Sequence, residues 1–304
     1  MQIRKFTVFT PTYNRAHTLD RVYKCLIGQT FTDFEWLIID DGSNDNTLEL
    51  VQKWIDENKL LIRYYYQANQ GKHNAMIEAI KLAQGELFLT SDSDDSFKPN
   101  SLEMLIFHWN KIPDKLKMNF SAVTTLCMNE NGEPLSKNIF PVAISNSVEM
   151  KFKYHFSTEA WGFQTTKVLR ELNLTKDLYG QYIPEGVYWN RIAKNYSTLY
   201  INEYYRFYFR GEISLSTDIT NRKRSKVALG YLIYVTELFN FHLKHLKYSP
   251  LHFCFYVVNF IFFSLHRNIG FLKSLGNVKS NLIKFIILLF FPLGLLKHIY
   301  YEYK

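Results

Sequence analysis

Three carboxylates fall within four positions of this 304-residue chain, in Phe88-Leu89-Thr90-Ser91-Asp92-Ser93-Asp94-Asp95, directly after an apolar run. Like charges a few ångströms apart repel, so such a cluster either keeps a proton or recruits a divalent cation. Ligands that are all oxygen suit a hard ion such as Mg²⁺ or Mn²⁺, which takes one or two carboxylates and completes its shell with substrate phosphates and water. The chemistry implied is a metal-diphosphate site at the carboxyl end of a buried strand. Taken alone, the same residues would serve as an acidic turn capping the helix that starts near Pro99. The elements around them decide between the two.

Lys5 to Thr10 reads as a first strand, broken by Pro11-Thr12-Tyr13-Asn14. A helix follows from about Thr18 to Gln29, with Leu19, Val22 and Leu26 on one face. Phe34 to Ile39 is a nearly continuous apolar strand of the kind parallel sheets bury on both faces, and it ends in Asp40-Asp41-Gly42-Ser43. Ser43 or Asn44 can cap a helix running to Asn58, after which Leu61 to Tyr66 forms a third strand. A further helix carries Met76, Ile80 and Ala83 inward, with Gly85 as its expected C-terminal cap, and Glu86 to Thr90 is the fourth strand. Strand and helix alternating at these spacings predict a parallel α/β sheet, whose ligands gather beyond the carboxyl ends of the strands. Tyr13-Asn14, Asp40-Asp41 and Asp92-Ser93-Asp94 should therefore converge on one crevice.

Four short motifs lie in series: Thr10-Pro11-Thr12-Tyr13-Asn14-Arg15, Ile39-Asp40-Asp41-Gly42-Ser43, Asn69-Gln70-Gly71-Lys72-His73-Asn74-Ala75 and Asp92-Ser93-Asp94-Asp95. In order and spacing they resemble the family 2 glycosyltransferases of bacteria. The resemblance is firm over the amino-terminal half and loose to about Ser216. It implies a GT-A fold, Rossmann-like with a mostly parallel sheet, and inverting transfer of a sugar from a nucleotide-diphosphate donor, usually a UDP-sugar. Carried over by position, Pro11, Tyr13, Asn14 and Arg15 would line the donor, with Tyr13 against the uracil ring. Asp41 would accept from the base and Asp40 would support that loop. Asp92 and Ser93 would lie on the ribose side, Asp94 with Asp92 would bind Mn²⁺ or Mg²⁺, and Lys72 and His73 would face the donor phosphates or sugar. The chemistry of these side chains agrees, since an aromatic face stacks on a base and a carboxylate accepts an imide proton in a charge-assisted bond.

An inverting transfer needs a carboxylate to take the acceptor's hydroxyl proton. Glu185 follows a proline and precedes a helix with Val187, Trp189 and Ile192, so it is the candidate base, with Glu159 and Asp177 as alternatives. The family usually reads Glu-Asp here, and this chain has Glu185-Gly186. Trp161, with Glu159 beside it, could form a platform for the acceptor sugar or could equally be core. Arg206 and Arg210, ahead of Ser214-Leu215-Ser216, could reach the diphosphate. A nucleotidyltransferase remains an alternative, as does an inactive membrane-bound scaffold of the same fold. The former more often has a Gly-rich loop after the first strand, where this chain has Pro11-Thr12-Tyr13-Asn14.

Composition bounds the rest. Hydrophobic residues make up 47% and aromatics 17% of the chain, which excludes general disorder. Cys25, Cys127 and Cys254 are far apart, which points to reduced buried thiols rather than a disulfide framework or zinc site. The amino terminus runs straight into a strand, so no secretory signal is expected and the protein should stay in the cytosol. The net charge of +8 belongs to the tail: from Arg222 onward there are 12 Lys+Arg and 2 Asp+Glu. The expected division is a catalytic domain over 1–217 and a helical, basic-apolar region over 218–304. In that region Leu251 to Leu265 and Ile286 to Leu296, the latter read as broken by Pro292 and Gly294, are each too short to span a bilayer. Apolar helices edged with cations suit the inner face of a membrane, peripherally bound, and packing on a second copy is the alternative. The acceptor would be a surface glycan, free or carried on a lipid beside the crevice, and nucleic acid is not expected as a partner because no binding motif accompanies the charge.

Overall fold

The computed structural model describes residues 4–174, 182–209, 224–266 and 269–302. Two compact units divide them: one from 4–146, 156–174 and 196–209, the other from 147–155, 182–195 and 224–302. The sequence suggested a division at 217/218; by compactness two segments from within 1–217, 147–155 and 182–195, group with the second unit.

The first unit opens with β1 (Arg4–Thr12), α1 (Ala16–Ile27), β2 (Phe34–Asp40), α2 (Thr47–Glu57), β3 (Ile62–Tyr66), α3 (Lys72–Leu82) and β4 (Gly85–Thr90). It continues through β5 (Ser96–Phe97), α4 (Ser101–Asn110), α5 (Asp114–Lys117), β6 (Phe120–Asn129) and β7 (Ile144–Ser145). After α6 (Ser147–Phe152), which belongs to the second unit, come β8 (Ala160–Thr165) and α7 (Thr166–Glu171). Then α8 (Gly186–Ile192), again of the second unit, precedes β9 (Ser197–Tyr208). The sheet runs β3-β2-β1-β4-β8-β6-β9-β5, with β7 paired to β9. Its first four strands are parallel; β8 is antiparallel to β4 and β6, while β9 runs parallel to β6. The mostly parallel α/β sheet expected from the sequence is present.

Every residue of β2 is buried, as its unbroken apolar run implies. One of them is a carboxylate. Glu35 accepts from Thr7 Oγ1 at 2.5 Å, the Gln84 amide at 2.6 Å and Arg63 Nη1 at 2.7 Å, so its buried charge is fully partnered. The core over this face is aromatic: Tyr23 of α1 stacks on Trp54 of α2 with ring centroids 4.4 Å apart, and Trp36 Nε1 donates to Thr10 Oγ1 at 2.9 Å.

Gly85 does not cap α3, which ends at Leu82 with Ala83 as its cap. It starts β4 instead, because a Cβ there would stand 2.1 Å from the Thr7 amide nitrogen. Its own amide donates to Thr7 Oγ1 and its carbonyl accepts from Thr166 Oγ1, so the bare backbone joins β1 to the start of α7.

The second unit is helical: α6 and α8 join α9 (Arg224–Phe241), α10 (Leu243–Leu246), α11 (Pro250–Ser264), α12 (Phe271–Gly276) and α13 (Asn281–Glu302). The expected break at Pro292 and Gly294 does not occur. α13 runs through both for 22 residues and is, by length and composition, the one helix among the described residues that could cross a membrane. Proline removes a single amide hydrogen bond and need not end a helix whose neighbours hold it. Gly294 lets α13 approach α11 closely, since a Cβ there would lie 2.4 Å from Ile261 Cγ2.

Candidate active site

Strand order reverses between β1 and β4, the innermost pair of the parallel half. Connections leave such a switch point in opposite directions and open a crevice beyond the carboxyl ends. Tyr13 and Asn14 follow β1, Asp40 closes β2, and Asp92 follows β4, so the first, second and fourth expected motifs do meet at one edge of the sheet.

The loops there are tied to one another. Asn14 adopts φ 53°, a conformation Asn tolerates better than most residues. Its amide donates to Ser43 Oγ at 2.8 Å and its Oδ1 accepts from the Asn44 amide at 2.8 Å. The Asp41 amide donates to the Thr12 carbonyl at 2.8 Å. Between these fixed points the Tyr13 side chain is 47% exposed, an aromatic face offered to solvent from a pinned backbone.

Asp40 is buried and accepts from the Ser43 amide at 2.8 Å and the Tyr64 hydroxyl at 2.6 Å, which suits support of the loop. Burial and that bond push the Tyr64 hydroxyl above its ordinary pKa. Asp41 differs from expectation. Its two oxygens already accept from Gln67 Nε2 (2.7 Å), the Gln70 amide (2.8 Å) and the Gly71 amide (2.7 Å). Three of about four acceptor positions on the carboxylate are thus taken, and Asp41 builds the turn into α3 rather than standing open for a base. Beside it, the buried Oε1 of Gln67 has no hydrogen-bond partner, leaving an acceptor that a ligand N–H could fill.

α3 begins at Lys72, capped by Gly71 at φ 89°. Lys72 Nζ reaches Asp92 Oδ1 at 2.7 Å, bringing the third motif to the acidic cluster. His73 follows it in the first turn of α3. Arg15, the N-cap residue of α1, lies near enough to act electrostatically on Asp92. Burial pushes the Asp92 carboxyl up, but Lys72 and Arg206 outweigh it and hold its pKa below the ordinary value. Pro11 pairs with Ile39 within the sheet, Ser93 is buried, and Asp94 is half-buried with its carbonyl accepting from Arg21 Nη1 at 2.8 Å.

Arg206, expected to reach the diphosphate, instead pairs with Asp95, a partnership that sequence reasoning did not foresee. Arg206, on β9, donates to Asp95 Oδ1 through Nε at 2.8 Å and approaches it with Nη2 at 2.6 Å; the same Nη2 lies 3.7 Å from Asp92 Oδ2. Asp95 Oδ2 accepts the Asp92 amide at 2.8 Å, so the pair also sets the turn of the acidic loop. Burial opposes the Arg206 charge, while Asp95 and Asp92 more than compensate and keep the guanidinium protonated. Burial raises Asp95 to about 7; Arg206 pulls the other way, and Asp92 and Asp94 add to the rise. Arg206 is therefore an internal counter-ion, not an arm reaching outward. The available signal was that three clustered carboxylates require a cation, but its position 111 residues away could not be read locally.

Trp161 belongs to the core. It is 5% exposed, its ring lies 5.0 Å from that of Phe97, and its Nε1 donates to the Thr90 carbonyl at 3.0 Å, so no ring face is open to a sugar. Glu159, just before β8, is exposed. Arg210 and Asp177 lie outside the described residues.

Glu185 sits in the second unit as the exposed N-cap residue of α8. A Cβ on the next residue, Gly186, would stand 2.7 Å from Cε2 of Tyr234, which accounts for a glycine directly after the acid. The helix is held from behind: Asn190 Nδ2 donates to the Tyr234 carbonyl at 3.3 Å, Arg191 Nε to Glu237 Oε1 at 2.8 Å, and His242 Nε2 pairs with the Asn190 carbonyl at 2.7 Å.

Among the described residues no three His, Cys, Asp or Glu side chains form a metal cage. The carboxylates at the crevice are those of Asp92, Asp94 and Asp95, oxygen donors of the kind that suit a hard divalent ion completed by phosphate oxygens.

Residues 7–120 match the model of the family described as Glycosyl transferase family 2. A GalNAc(5)-diNAcBac-PP-undecaprenol beta-1,3-glucosyltransferase of Campylobacter jejuni is 26% identical over 234 residues, covering 75% of this chain and 72% of that protein. An uncharacterized glycosyltransferase of Nostoc is 33% identical over 102 residues, covering 34% of this chain, which spans 32% of that protein's length. Among solved structures, TarS 1-349 of S. aureus in complex with UDP-GlcNAc superposes with a TM-score of 0.63 at 18% identity, covering 90% of this chain and 82% of TarS 1-349. The stretch that matches the family model, 7–120, contains all four motifs, and the fold is the GT-A fold expected from them.

Proposed function

We propose that this family 2 glycosyl transferase chain moves a sugar from a UDP-sugar to a hydroxyl of a glycan or lipid-linked glycan, with inversion, during surface-polysaccharide synthesis on the cytoplasmic face of a membrane. The observation that carries the reading is the meeting, at the β1/β4 switch point, of an exposed aromatic ring, Tyr13, with the Lys72–Asp92 pair and the Asp94 carboxylate. UDP-GlcNAc bound to a protein of the same fold supports the donor class. The lipid-linked acceptor in the name of the Campylobacter relative supports the acceptor class.

In this reading Tyr13 stacks on the uracil, the Gln67 carbonyl and the loop organised by Asp41 meet its edge, and Asp92 binds the ribose side. Asp94, with Asp92, would hold Mn²⁺ or Mg²⁺, which neutralises charge on the diphosphate when bound. Lys72 and the first turn of α3 present positive charge to the same group. Glu185 removes the acceptor's hydroxyl proton as the oxygen attacks the anomeric carbon opposite the departing UDP.

The test is release of UDP from a panel of UDP-sugars, with and without Mn²⁺, by the parent, Asp94→Ala and Glu185→Gln. The expected results are metal-dependent hydrolysis of one donor, lost in Asp94→Ala, and acceptor-dependent UDP release reduced about a hundredfold or more in Glu185→Gln. No donor binding or turnover, with Asp94→Ala indistinguishable from the parent, would overturn the transferase reading in favour of an inactive scaffold.

A further inference from the structure

The exposed side of α13 reverses the usual pattern of a surface helix. At 3.6 residues per turn, Leu282, Phe285, Leu289, Leu293, Leu296 and Tyr300 fall within about 80° of one another on the helical wheel, and all six are exposed. The opposite side, with Ile283, Ile287 and Gly294, is buried, and Gly294 packs on Ile261 of α11. An apolar stripe of this length is not left to water without a partner.

Charge identifies the partner. Lys297 borders the stripe about 40° beyond one edge and Lys284 lies in the first turn of the helix about 100° beyond the other, Lys273 and Lys279 are exposed shortly before the helix, and from 224 to 301 the sole carboxylate side chain is Glu237, already paired with Arg191 at 2.8 Å. A second copy of the chain would bring the same cations against themselves, whereas an anionic lipid surface matches both the stripe and its rim.

The same residues fix the depth. Between Lys284 and Lys297 lie 12 uncharged residues, about 18 Å of helix against a hydrocarbon core of about 30 Å. Lys297 is also tied sideways, its Nζ donating to Asn259 Oδ1 of α11 at 2.6 Å, so it is not extended toward a far interface. We infer that α13 lies in the plane of an anionic membrane, its Leu282–Tyr300 stripe among the acyl chains, and does not cross it although it is long enough to do so. This rests on the membrane-associated reading above and specifies its mode.

The full chain is mixed with phosphatidylcholine vesicles, with and without phosphatidylglycerol, and sedimented; Leu289→Asp/Leu293→Asp is compared with the parent. Binding that requires the anionic lipid and falls about tenfold or more in the variant is expected, with circular dichroism and UDP release unchanged. In Leu293→Trp, a spin label near the headgroup should quench fluorescence more than one at the chain end. Equal vesicle binding by parent and variant overturns the inference, as does strongest quenching from the chain end, which indicates a spanning helix. Dimerisation of the parent in light scattering, lost in the variant while lipid binding is absent from both, overturns it in favour of a second copy. Vesicle binding that depends on the stripe, in a chain that turns over no donor, upholds this inference and removes the transferase reading alone.

Discussion

Arg206 and Asp95, 111 residues apart, share a buried pair in which Nη2 stands 2.6 Å from Oδ1. Through it, a strand of the mixed half of the sheet fixes the loop that ends a strand of the parallel half. Removing Arg206 leaves Asp95 buried without its counter-ion, to take up a proton or carry an unsolvated charge, at a cost of about 3–5 kcal/mol. Arg206→Leu should therefore lower the urea midpoint markedly, and Arg206→Lys should restore part of the loss. A midpoint unchanged in Arg206→Leu would show that the pair does not hold the loop.

Glu35 makes a parallel prediction away from the site. It joins Thr7, Arg63 and the Gln84 amide inside the sheet. Glu35→Ala strands Arg63 and two further donors and should destabilise by about 3 kcal/mol or more, seen as a lower melting temperature with no change in UDP affinity per folded molecule.

Tyr13 is exposed on a backbone held by Ser43 and Asn44, so its ring can be removed at little cost to stability. Tyr13→Ala should weaken UDP binding by about 1–3 kcal/mol by calorimetry, while Tyr13→Phe keeps it. Equal affinity in Tyr13→Ala would remove the stacking role.

The Asp92 carboxyl titrates below its ordinary value of 3.8 because Lys72 and Arg206 outweigh its burial. A depressed carboxyl stabilises the fold above its unfolded-state pKa and loses that contribution as pH falls through the lowered one. The stability advantage of the parent over Lys72→Met should hence be full above about pH 5 and shrink steadily below pH 3.8. Urea titrations at several pH values measure it. An advantage independent of pH would mean that Lys72 acts by packing alone.

Local patterns made the parallel half of the sheet legible, since each strand there is an apolar run ending in a polar turn, and Lys5–Thr10 or Phe34–Ile39 needs no distant partner to be seen. Features set by close approach were not legible. Gly85 looks like a helix cap until the Thr7 amide is found 2.1 Å from where its Cβ would be. Trp161 looks like a sugar platform until Phe97 and the Thr90 carbonyl enclose it. Asp41 was recognised as important, but its three donors come from a turn whose path no spacing predicts. Pro292 was read as a stop because proline usually is one, and the packing that carries α13 through it is tertiary.

The helix that bears Glu185 has a consequence for how the protein is made. Its supports, Tyr234, Glu237 and His242, lie some fifty residues downstream of it, well beyond the 7–120 stretch that matches the family. As the chain leaves the ribosome, the parallel strands can find one another early, but α8 must wait for α9 to emerge before its buried side is covered. A truncation that spares every recognisable motif and removes α9 would thus release a protein with a donor crevice and an unsupported candidate base. Such a fragment should bind nucleotide yet expose Val187, Tyr188 and Ile192, making it prone to aggregate during synthesis rather than merely slow.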